Sequence, residues 1–297
     1  MIVLEALEHQ TIWGGTILKK EYGCKNDGIG HLYLVNGHKG MSNTILNGKY
    51  RGYTLEEAFP FIKEKLGLEK YEEFPLTVAL VDATENLSVQ VHPNDNVANI
   101  LEGKKIGKEE SWLFLKEPNE GYIYCGCSAN NKEEISRAIE SEKILGVVGR
   151  LPIKQNDYVC VKSGMLHAMS AGSFVYEIEY GSDYTYRFYD YHRKDKDGNE
   201  RELHIEKALE AIEFVQNSEA TGFKNDCWVS EENYEICRLT DRKSFDNIHN
   251  MMVIVSIIDG HVMCDGIQVK KGMSVILESG ERIDDAELKD IIVSKLR

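Results

Sequence analysis

Eight short runs rich in Val, Ile, Tyr or Phe, each bounded by turn-forming residues, dominate this sequence and favour a mainly β fold. We predict strands over residues 74–81, 87–92, 111–115, 121–125, 157–161, 174–179, 185–191 and 252–258. Helical periodicity is clear in only three segments, residues 54–66, 131–140 and 205–215. Residues 220–297 return to short strands with about one glycine-rich turn per strand, as in an antiparallel barrel. The pattern therefore predicts β-barrels with helices inserted between strands.

One of these runs alternates polar and apolar residues in an unusual way. Ser88, Gln90 and His92 are separated by Val89 and Val91. Alternate side chains of a strand lie on the same face, so these three polar groups are expected to point in one direction. In a barrel that face can be the interior, where an imidazole and an amide need a functional reason.

Two further residues complete a candidate metal site. Glu110 follows the turn at residues 103–107, and His167 ends a segment that resembles the second cupin-type motif. In that motif a turn, a strand and a second turn bring a histidine into a barrel; here Asn156 and Lys162 replace its glycine and proline. Two imidazoles, one carboxylate and one amide oxygen suit zinc or a similar ion. An iron oxygenase is disfavoured, because such sites usually use a histidine-rich facial triad.

Composition excludes several other classes of function. The 49 acidic residues exceed the 35 basic ones, giving a net charge of −14, which argues against binding to nucleic acid or to an anionic membrane. An anionic substrate remains possible, since a pocket can be locally basic. No signal peptide and no stretch of bilayer-spanning length is visible. The seven cysteines are odd in number and include no CxxC, which predicts reduced thiols in a cytoplasmic protein.

Longer matches indicate a family. The segments 12–15, 74–76, 87–95, 108–112, 164–168, 176–191 and 196–205 resemble the type I mannose-6-phosphate isomerases (phosphomannose isomerases) in their short bacterial form, members of the cupin superfamily. The resemblance implies two cupin-like β-barrels (jelly rolls) with inserted helices. We place a metal-binding catalytic domain at 1–219, with helical insertions at about 54–66 and 131–149, and a C-terminal cupin-like domain at 220–297.

The resemblance also implies a reaction: mannose 6-phosphate and fructose 6-phosphate interconvert through a cis-enediol or enediolate. It implies one Zn²⁺ per chain on Gln90, His92, Glu110 and His167. Arg187 would stabilise negative charge, and Lys108 and Asp183 would assist with protons. Arg187, Lys108 and Ser88 would bind substrate. On a strand, Asp183, Thr185 and Arg187 would share one face, so that Asp183 could orient the guanidinium. A monomer or a weak homodimer is expected.

The sequence departs from the family pattern at several positions. His31 and Tyr33 stand where the family commonly has Glu and Trp, Ala79 stands where it commonly has Lys, and residues 179–181 stand where Gln and Ser are usual. Losing a lysine near an anionic pocket removes a strong phosphate partner. Two alternatives therefore stay open: an isomerase of a different phosphosugar, or a non-catalytic metal-bearing paralogue that binds a carbohydrate. The native metal and the proton-transfer base are also open.

Overall fold

The computed structural model describes residues 1–214 and 218–297. Its five α-helices are α1 Ile17–Tyr22, α2 Leu55–Ile62, α3 Asp95–Glu102, α4 Lys132–Glu140 and α5 Ile205–Ala211, and a 3₁₀ helix covers Ile144–Gly146. The strands are β1 Ile2–Leu4, β2 Leu7–Gly15, β3 Ile29–Val35, β4 Gly37–His38, β5 Met41–Ser42, β6 Leu76–Asp82, β7 Val89–Val91, β8 Lys108–Lys116, β9 Tyr122–Cys127, β10 Val148–Pro152, β11 Asp157–Val161, β12 His167–Ala168, β13 Phe174–Gly181, β14 Tyr186–Tyr189, β15 Thr221–Gly222, β16 Val229–Ser230, β17 Tyr234–Arg242, β18 Phe245–Asp246, β19 Val253–Cys264, β20 Ile267–Lys270, β21 Ser274–Leu277, β22 Arg282–Ile283 and β23 Glu287–Leu296.

The mainly β fold with inserted helices is confirmed, and each predicted strand overlaps an observed one. The predicted helix at 54–66 begins as expected: Thr54 Oγ1 accepts from the Glu57 N–H, and the Glu57 carboxylate accepts from the Thr54 N–H. The predicted insertion at 131–149 contains α4 and the 3₁₀ helix. The helix predicted over 205–215 is shorter, since α5 ends at Ala211, and Val215 lies outside the described residues.

The chain divides into two compact units. Unit 1 comprises residues 1–9, 32–80 and 224–297, and unit 2 comprises residues 10–31 and 81–223. The end of unit 2 lies close to the boundary predicted near residue 220. Residues 1–9 and 32–80, however, which we placed with the catalytic domain, group with the C-terminal residues. The two predicted domains themselves stay a prediction.

Unit 2 contains two antiparallel sheets that carry the candidate site. In one, the strand order is β10-β9-β12-β7-β14; in the other, β11 and β13 flank β8. These described strand orders end at edge strands. The arrangement is therefore that of an open, two-sheet jelly roll and not of a closed barrel. Apolar side chains of the first sheet, including Val89, Val91 and Phe188, pack with those of α4 and α5.

Unit 1 is built on one sheet of order β1-β21-β19-β23-β17-β16, with β20 paired to β19. The long strands β19 and β23 pair along most of their length. Their inward residues, such as Val255, Ile257 and Ile291, are fully buried in an apolar cluster. Residues 253–258 of β19 and 291–294 of β23 are buried without interruption, so both faces of these strands are covered, as their continuous run of mostly β-branched residues predicts.

Candidate metal centre and active site

The first sheet of unit 2 presents a row of polar side chains on one face. Gln90, in β7, lies directly opposite His167 of β12 on one side and opposite Arg187 of β14 on the other. Residues directly opposed in an antiparallel pair project to the same face. The register therefore aligns Gln90, His167 and Arg187, and His92 follows immediately after β7.

The second sheet presents charged side chains in the same way. Lys108, Glu110 and Trp112 alternate along β8, so they share one face. Glu110 lies opposite Glu179 of β13, and Trp112 lies opposite Glu177. Three carboxylates and one ammonium group thus project from one patch of two neighbouring strands.

The two rows meet at Glu110. Its Oε2 lies 3.0 Å from His92 Nε2, and its Oε1 lies 3.4 Å from His167 Nε2. Gln90 Nε2 lies 3.3 Å from His167 Nε2. His92, Glu110 and His167 are all buried, and one ligand atom of each lies within 4.8 Å of the others. The structure therefore brings together all four residues that the sequence predicts as metal ligands.

The hydrogen bond made by Nδ1 of each imidazole determines whether its Nε2 carries a hydrogen or a lone pair. Nδ1 of His92 lies 2.9 Å from the Tyr184 carbonyl, and Nδ1 of His167 lies 2.8 Å from the Met165 carbonyl. A carbonyl only accepts, so each Nδ1 carries the hydrogen, and each Nε2 of a neutral ring carries a lone pair. Burial, with the neighbouring His92, lowers the pKa of His167 to about 4, so that ring is neutral at pH 7.

This donor set fits a metal ion. His92 Nε2 and Glu110 Oε1 are buried and have no hydrogen-bond partner among the described residues. A neutral His92 ring would place a lone pair 3.0 Å from the Glu110 carboxylate, and two acceptors at that distance need a cation between them. A 180° rotation of the Gln90 amide about its last bond would turn its oxygen toward the same point.

Lys108 compensates the carboxylates from inside the fold. Its Nζ lies 3.1 Å from Glu110 Oε2 and 3.0 Å from Glu179 Oε1. Burial would lower the pKa of Lys108, but Glu179 and Glu110 outweigh it and raise the pKa above its ordinary value. Burial similarly opposes ionisation of Glu110, and Lys108 with His92 nevertheless holds the pKa of that carboxyl well below its usual range.

Arg187 differs from Lys108 because no carboxylate of the described residues forms an ion pair with it. Its Nε is buried without a hydrogen-bond partner, and the ion pairs of the described residues do not include it. Burial, then Arg201, lowers the pKa of Arg187 from its ordinary value. A half-buried cation that forms no ion pair within residues 1–214 and 218–297 is a ready partner for an anionic ligand.

Two predicted site residues are placed differently from expectation. Ser88 is buried, and its hydroxyl donates to Gln90 Oε1 at 3.1 Å. With the amide rotated, the Gln90 NH₂ group would instead donate to the Ser88 oxygen, so Ser88 can bond this predicted ligand in either orientation. The expectation that Asp183 shares a strand face with Arg187 is wrong, because β14 begins only at Tyr186. Asp183 precedes that strand and is exposed, between buried Ser182 and half-buried Tyr184.

The sequence did not single out Glu177 as a site residue. Trp112 Nε1–H donates to Glu177 Oε1 at 2.8 Å, while Oε2 has no hydrogen-bond partner. Burial and the carboxylates of Glu179 and Glu110 raise the pKa of Glu177 well above its ordinary value. The available signal was the alternation of Glu177 and Glu179 in a strand that is otherwise apolar.

Two of the departures from the family pattern, His31 and residues 179–181, lie within unit 2. His31 Nε2 is 3.8 Å from Glu177 Oε2, and the His31 ring packs edge-on to Trp13 with centroids 5.1 Å apart. An imidazole here avoids adding a fourth carboxylate to Glu110, Glu177 and Glu179. Ala79 is fully buried in β6, in the part of that strand assigned to unit 1.

Comparison with known proteins agrees with this arrangement. Residues 1–140 match the model of the phosphomannose isomerase type I catalytic domain. The chain is 38% identical over 213 residues to a probable mannose-6-phosphate isomerase of Bacillus subtilis, covering 71% of this chain and 68% of the relative. It is 32% identical over 246 residues to the mannose-6-phosphate isomerase of Streptococcus mutans, covering 82% and 76%.

Solved structures extend the likeness to the whole chain. The crystal structure of the mannose 6-phosphate isomerase from Bacillus subtilis superimposes with a TM-score of 0.84 at 29% identity, covering 99% of each chain. The chain belongs to the type I phosphomannose isomerase family. The helices of residues 1–214 and 218–297 lack the length and apolar character needed to cross a bilayer.

Proposed function

We propose that the protein is a zinc-dependent mannose-6-phosphate isomerase that forms fructose 6-phosphate through a cis-enediol or enediolate. Family membership supports the activity, and the donor set supports the metal. The observation that carries the proposal is the convergence of His92 Nε2, His167 Nε2 and Glu110 in a buried group. Neutral imidazole nitrogen and carboxylate oxygen are ligands that zinc prefers in catalytic sites.

His92, Glu110 and His167 would hold the ion, with the Gln90 amide oxygen as a fourth ligand. A bound divalent cation supplies positive charge that favours an oxyanion over an alcohol or carbonyl oxygen. Ser88 and the Met165 and Tyr184 carbonyls would fix the orientation of these ligands. Such contacts around a metal site usually matter for affinity as well as for geometry.

The remaining polar groups suit the proton transfers and the charge of the substrate. Glu177 has one oxygen without a hydrogen-bond partner, so it is placed to accept a proton from the sugar carbon and return it. Lys108, between Glu110 and Glu179, would stabilise negative charge or move a proton beside the metal ligands. Arg187 would bind the anionic part of the ligand. Asp183 stays a predicted catalytic residue, without support from its exposed position.

The test is a coupled assay that follows fructose 6-phosphate formed from mannose 6-phosphate by zinc-loaded protein. We expect turnover of roughly 1–10³ s⁻¹, lost on chelation and restored by zinc. A panel of other divalent ions identifies the metal that supports the highest rate. Folded, zinc-bearing protein that gives no product would contradict the proposal.

A non-catalytic paralogue is the second candidate, motivated by His31 beside Glu177 and by Ala79 in place of the family's lysine. It predicts that a sugar phosphate raises the melting temperature of the zinc-loaded protein although no isomerisation occurs. A panel of aldose 6-phosphates in the same assay tests the third case, a different phosphosugar. We also propose a cytoplasmic monomer or weak homodimer, which cell fractionation and sedimentation would test.

A further inference from the structure

Three arginines lie near the end of β14, but only two of them have an anionic partner. Arg201 donates from Nε to Asp190 Oδ2 at 2.7 Å and from Nη2 to Oδ1. Arg193 donates from Nη2 to the same Oδ1. Asp190 is 4% exposed, and both of its carboxylate oxygens accept hydrogen bonds from these two guanidinium groups. Arg187, three residues earlier, keeps its own guanidinium unpaired among the described residues.

The backbone connects Asp190 to Arg187 through a closed loop. The Arg187 carbonyl accepts from the His204 N–H at 2.8 Å, and the Arg187 N–H donates to His204 Nδ1 at 3.2 Å. Asp190 and Arg201 lie three residues inside this pair from either end. The segment between them contains a hairpin turn, with Lys194 bridged to Glu200. Two successive links therefore tie the chain to residues 201–204, one at Arg187 itself and one three residues after it.

Arg193 extends the same cluster to the neighbouring strand. Its Nη1 donates to the Asn86 carbonyl, and Asn86 Oδ1 accepts from the Ala171 N–H at 2.8 Å. Asn86 precedes Ser88 and Gln90 in the segment that enters β7. The same Nη1 lies 3.5 Å from Glu85 Oε2, next to Asn86. Arg193 thus joins Asp190, at the end of the strand that carries Arg187, to the segment that leads into the strand of a predicted metal ligand.

The turn after Asp190 needs such support. Tyr191 and His192 have φ of +57° and +51°, a left-handed conformation that costs free energy for residues with a Cβ. The Arg193 N–H donates to the Asp190 carbonyl at 3.1 Å, which closes the turn. The ion pair between Asp190 and Arg193 opposes its relaxation.

We propose that Asp190 is a positioning residue: its ion pairs with Arg193 and Arg201 fix β14 against β7, so that Arg187 stays unpaired and aligned with Gln90 to bind the phosphate of the substrate. The inference rests on the proposed function for the identity of the ligand. It predicts that loss of Asp190 weakens binding of anionic ligands without removing the metal.

The experiment compares wild type with Asp190→Asn, using calorimetric titration of zinc-loaded protein with inorganic phosphate. We expect phosphate affinity to fall by about 10- to 100-fold, as for other residues that orient a ligand-binding group, with zinc content unchanged. In the isomerase assay, KM for mannose 6-phosphate should rise by a similar factor and kcat should change less. Arg187→Ala should weaken phosphate binding at least as much.

The matched control is Asp290→Asn in unit 1, where Asp290 accepts from Arg238 Nε at 2.9 Å and from Nη2 at 2.6 Å. It removes the same kind of ion pair and should leave phosphate affinity unchanged. Should Asp190→Asn fail to fold, the double variant Asp190→Asn with Arg201→Gln removes the charge imbalance. That variant should show the same loss of phosphate affinity.

Three results would overturn the proposal: phosphate affinity within two-fold of wild type in folded Asp190→Asn, equal losses in Asp190→Asn and Asp290→Asn, or phosphate binding that does not require Arg187. Absence of isomerase turnover in wild type would contradict the proposed function alone. The calorimetric comparison would still decide the role of Asp190, because inorganic phosphate binding needs no turnover.

Discussion

The two units bury different kinds of polar group. In the described residues, every buried carboxylate and the one buried lysine lie in unit 2: Asp82, Lys108, Glu110, Glu177, Glu179 and Asp190. The buried polar residues of unit 1 are neutral or are histidine: Asn36, His38, Asn43, Asn47, Thr77, Asn247, Ser256, Ser274 and Ser294. Because both units are sheet structures, the difference lies in what the inward faces carry.

Burying charged groups costs free energy, so their concentration in unit 2 indicates a functional role. A buried ion costs several kcal/mol to remove from water, and ion pairing rarely recovers all of it. Unit 1 avoids the cost, and pairs for example Ser256 Oγ with Ser274 Oγ at 2.9 Å. Unit 2 incurs this free-energy cost where Lys108, Glu110 and two imidazoles meet. Concentrated buried charge of this kind is typical of a catalytic site.

The largest effect is expected for Glu110→Gln. The substitution removes the only carboxylate that faces both imidazoles and leaves Lys108 with one fewer anion. We expect metal binding to be lost and turnover to fall by at least about 10³-fold. Metal content per chain and the coupled assay measure the two effects separately.

Its control is Glu235→Gln in unit 1, where Glu235 pairs with Lys295 on the neighbouring strand. This variant also breaks a lysine–carboxylate pair, but in the unit that does not contain His92 and His167. Metal content and turnover should remain those of wild type. Comparable losses in both variants would show that the buried charges of unit 2 serve stability and not function.

A smaller effect is expected for Glu177→Gln. Glutamine keeps an oxygen to accept from Trp112 Nε1–H, but it cannot accept and return a proton. We expect kcat to fall by about 10²- to 10⁴-fold, while metal content stays at the wild-type level. Full activity in this variant would remove Glu177 from the proton transfer and leave Lys108 as the candidate.

Arg187→Ala is expected to act through substrate binding and charge stabilisation together. The unpaired guanidinium has no protein anion to release, so its loss should cost little stability. We expect kcat/KM to fall by about 10²- to 10³-fold, and Arg187→Lys to recover part of it, since a lysine keeps the charge but loses the planar fork. Turnover of Arg187→Ala within a few-fold of wild type would contradict the assignment.

The sequence predicts the parts of the fold that depend on local pattern. The strand at residues 157–161 has the predicted bounds, and the Ser88–His92 alternation places Gln90 and His92 in one group. It also predicts the Thr54 cap. Helix α3 was not predicted, although Asn94 Oδ1 accepts from the Val97 N–H as an N-cap. Local pattern therefore predicts strands and a capped helix, but it did not reveal every short helix.

Two features depend on contacts between residues that are distant in the sequence, which a local pattern does not contain. Glu177 becomes a candidate only because β13 pairs with β8 and buries it beside Glu110 and Glu179. The grouping of residues 1–9 and 32–80 with the C-terminal residues is equally non-local. The shared strand face of Asp183 and Arg187 was wrong for a local reason, since β14 begins at Tyr186, one residue after the predicted start and three residues after Asp183.

The smallest effect is expected when one buried methylene is removed from each unit, which compares the two cores directly. Ile291 of unit 1 and Ile178 of unit 2 are both fully buried strand residues. Replacing either with Val should lower the free energy of unfolding by about 0.5–1.5 kcal/mol, measured by urea titration. Ile178 separates Glu177 from Glu179 and holds the opposite face of β13, so Ile178→Val should also lower kcat/KM by a few-fold. Ile291→Val should leave kcat/KM unchanged, because the interior of unit 1 holds no charge whose position matters. Equal kcat/KM in the two variants would mean that the charged face of β13 does not depend on the packing behind it.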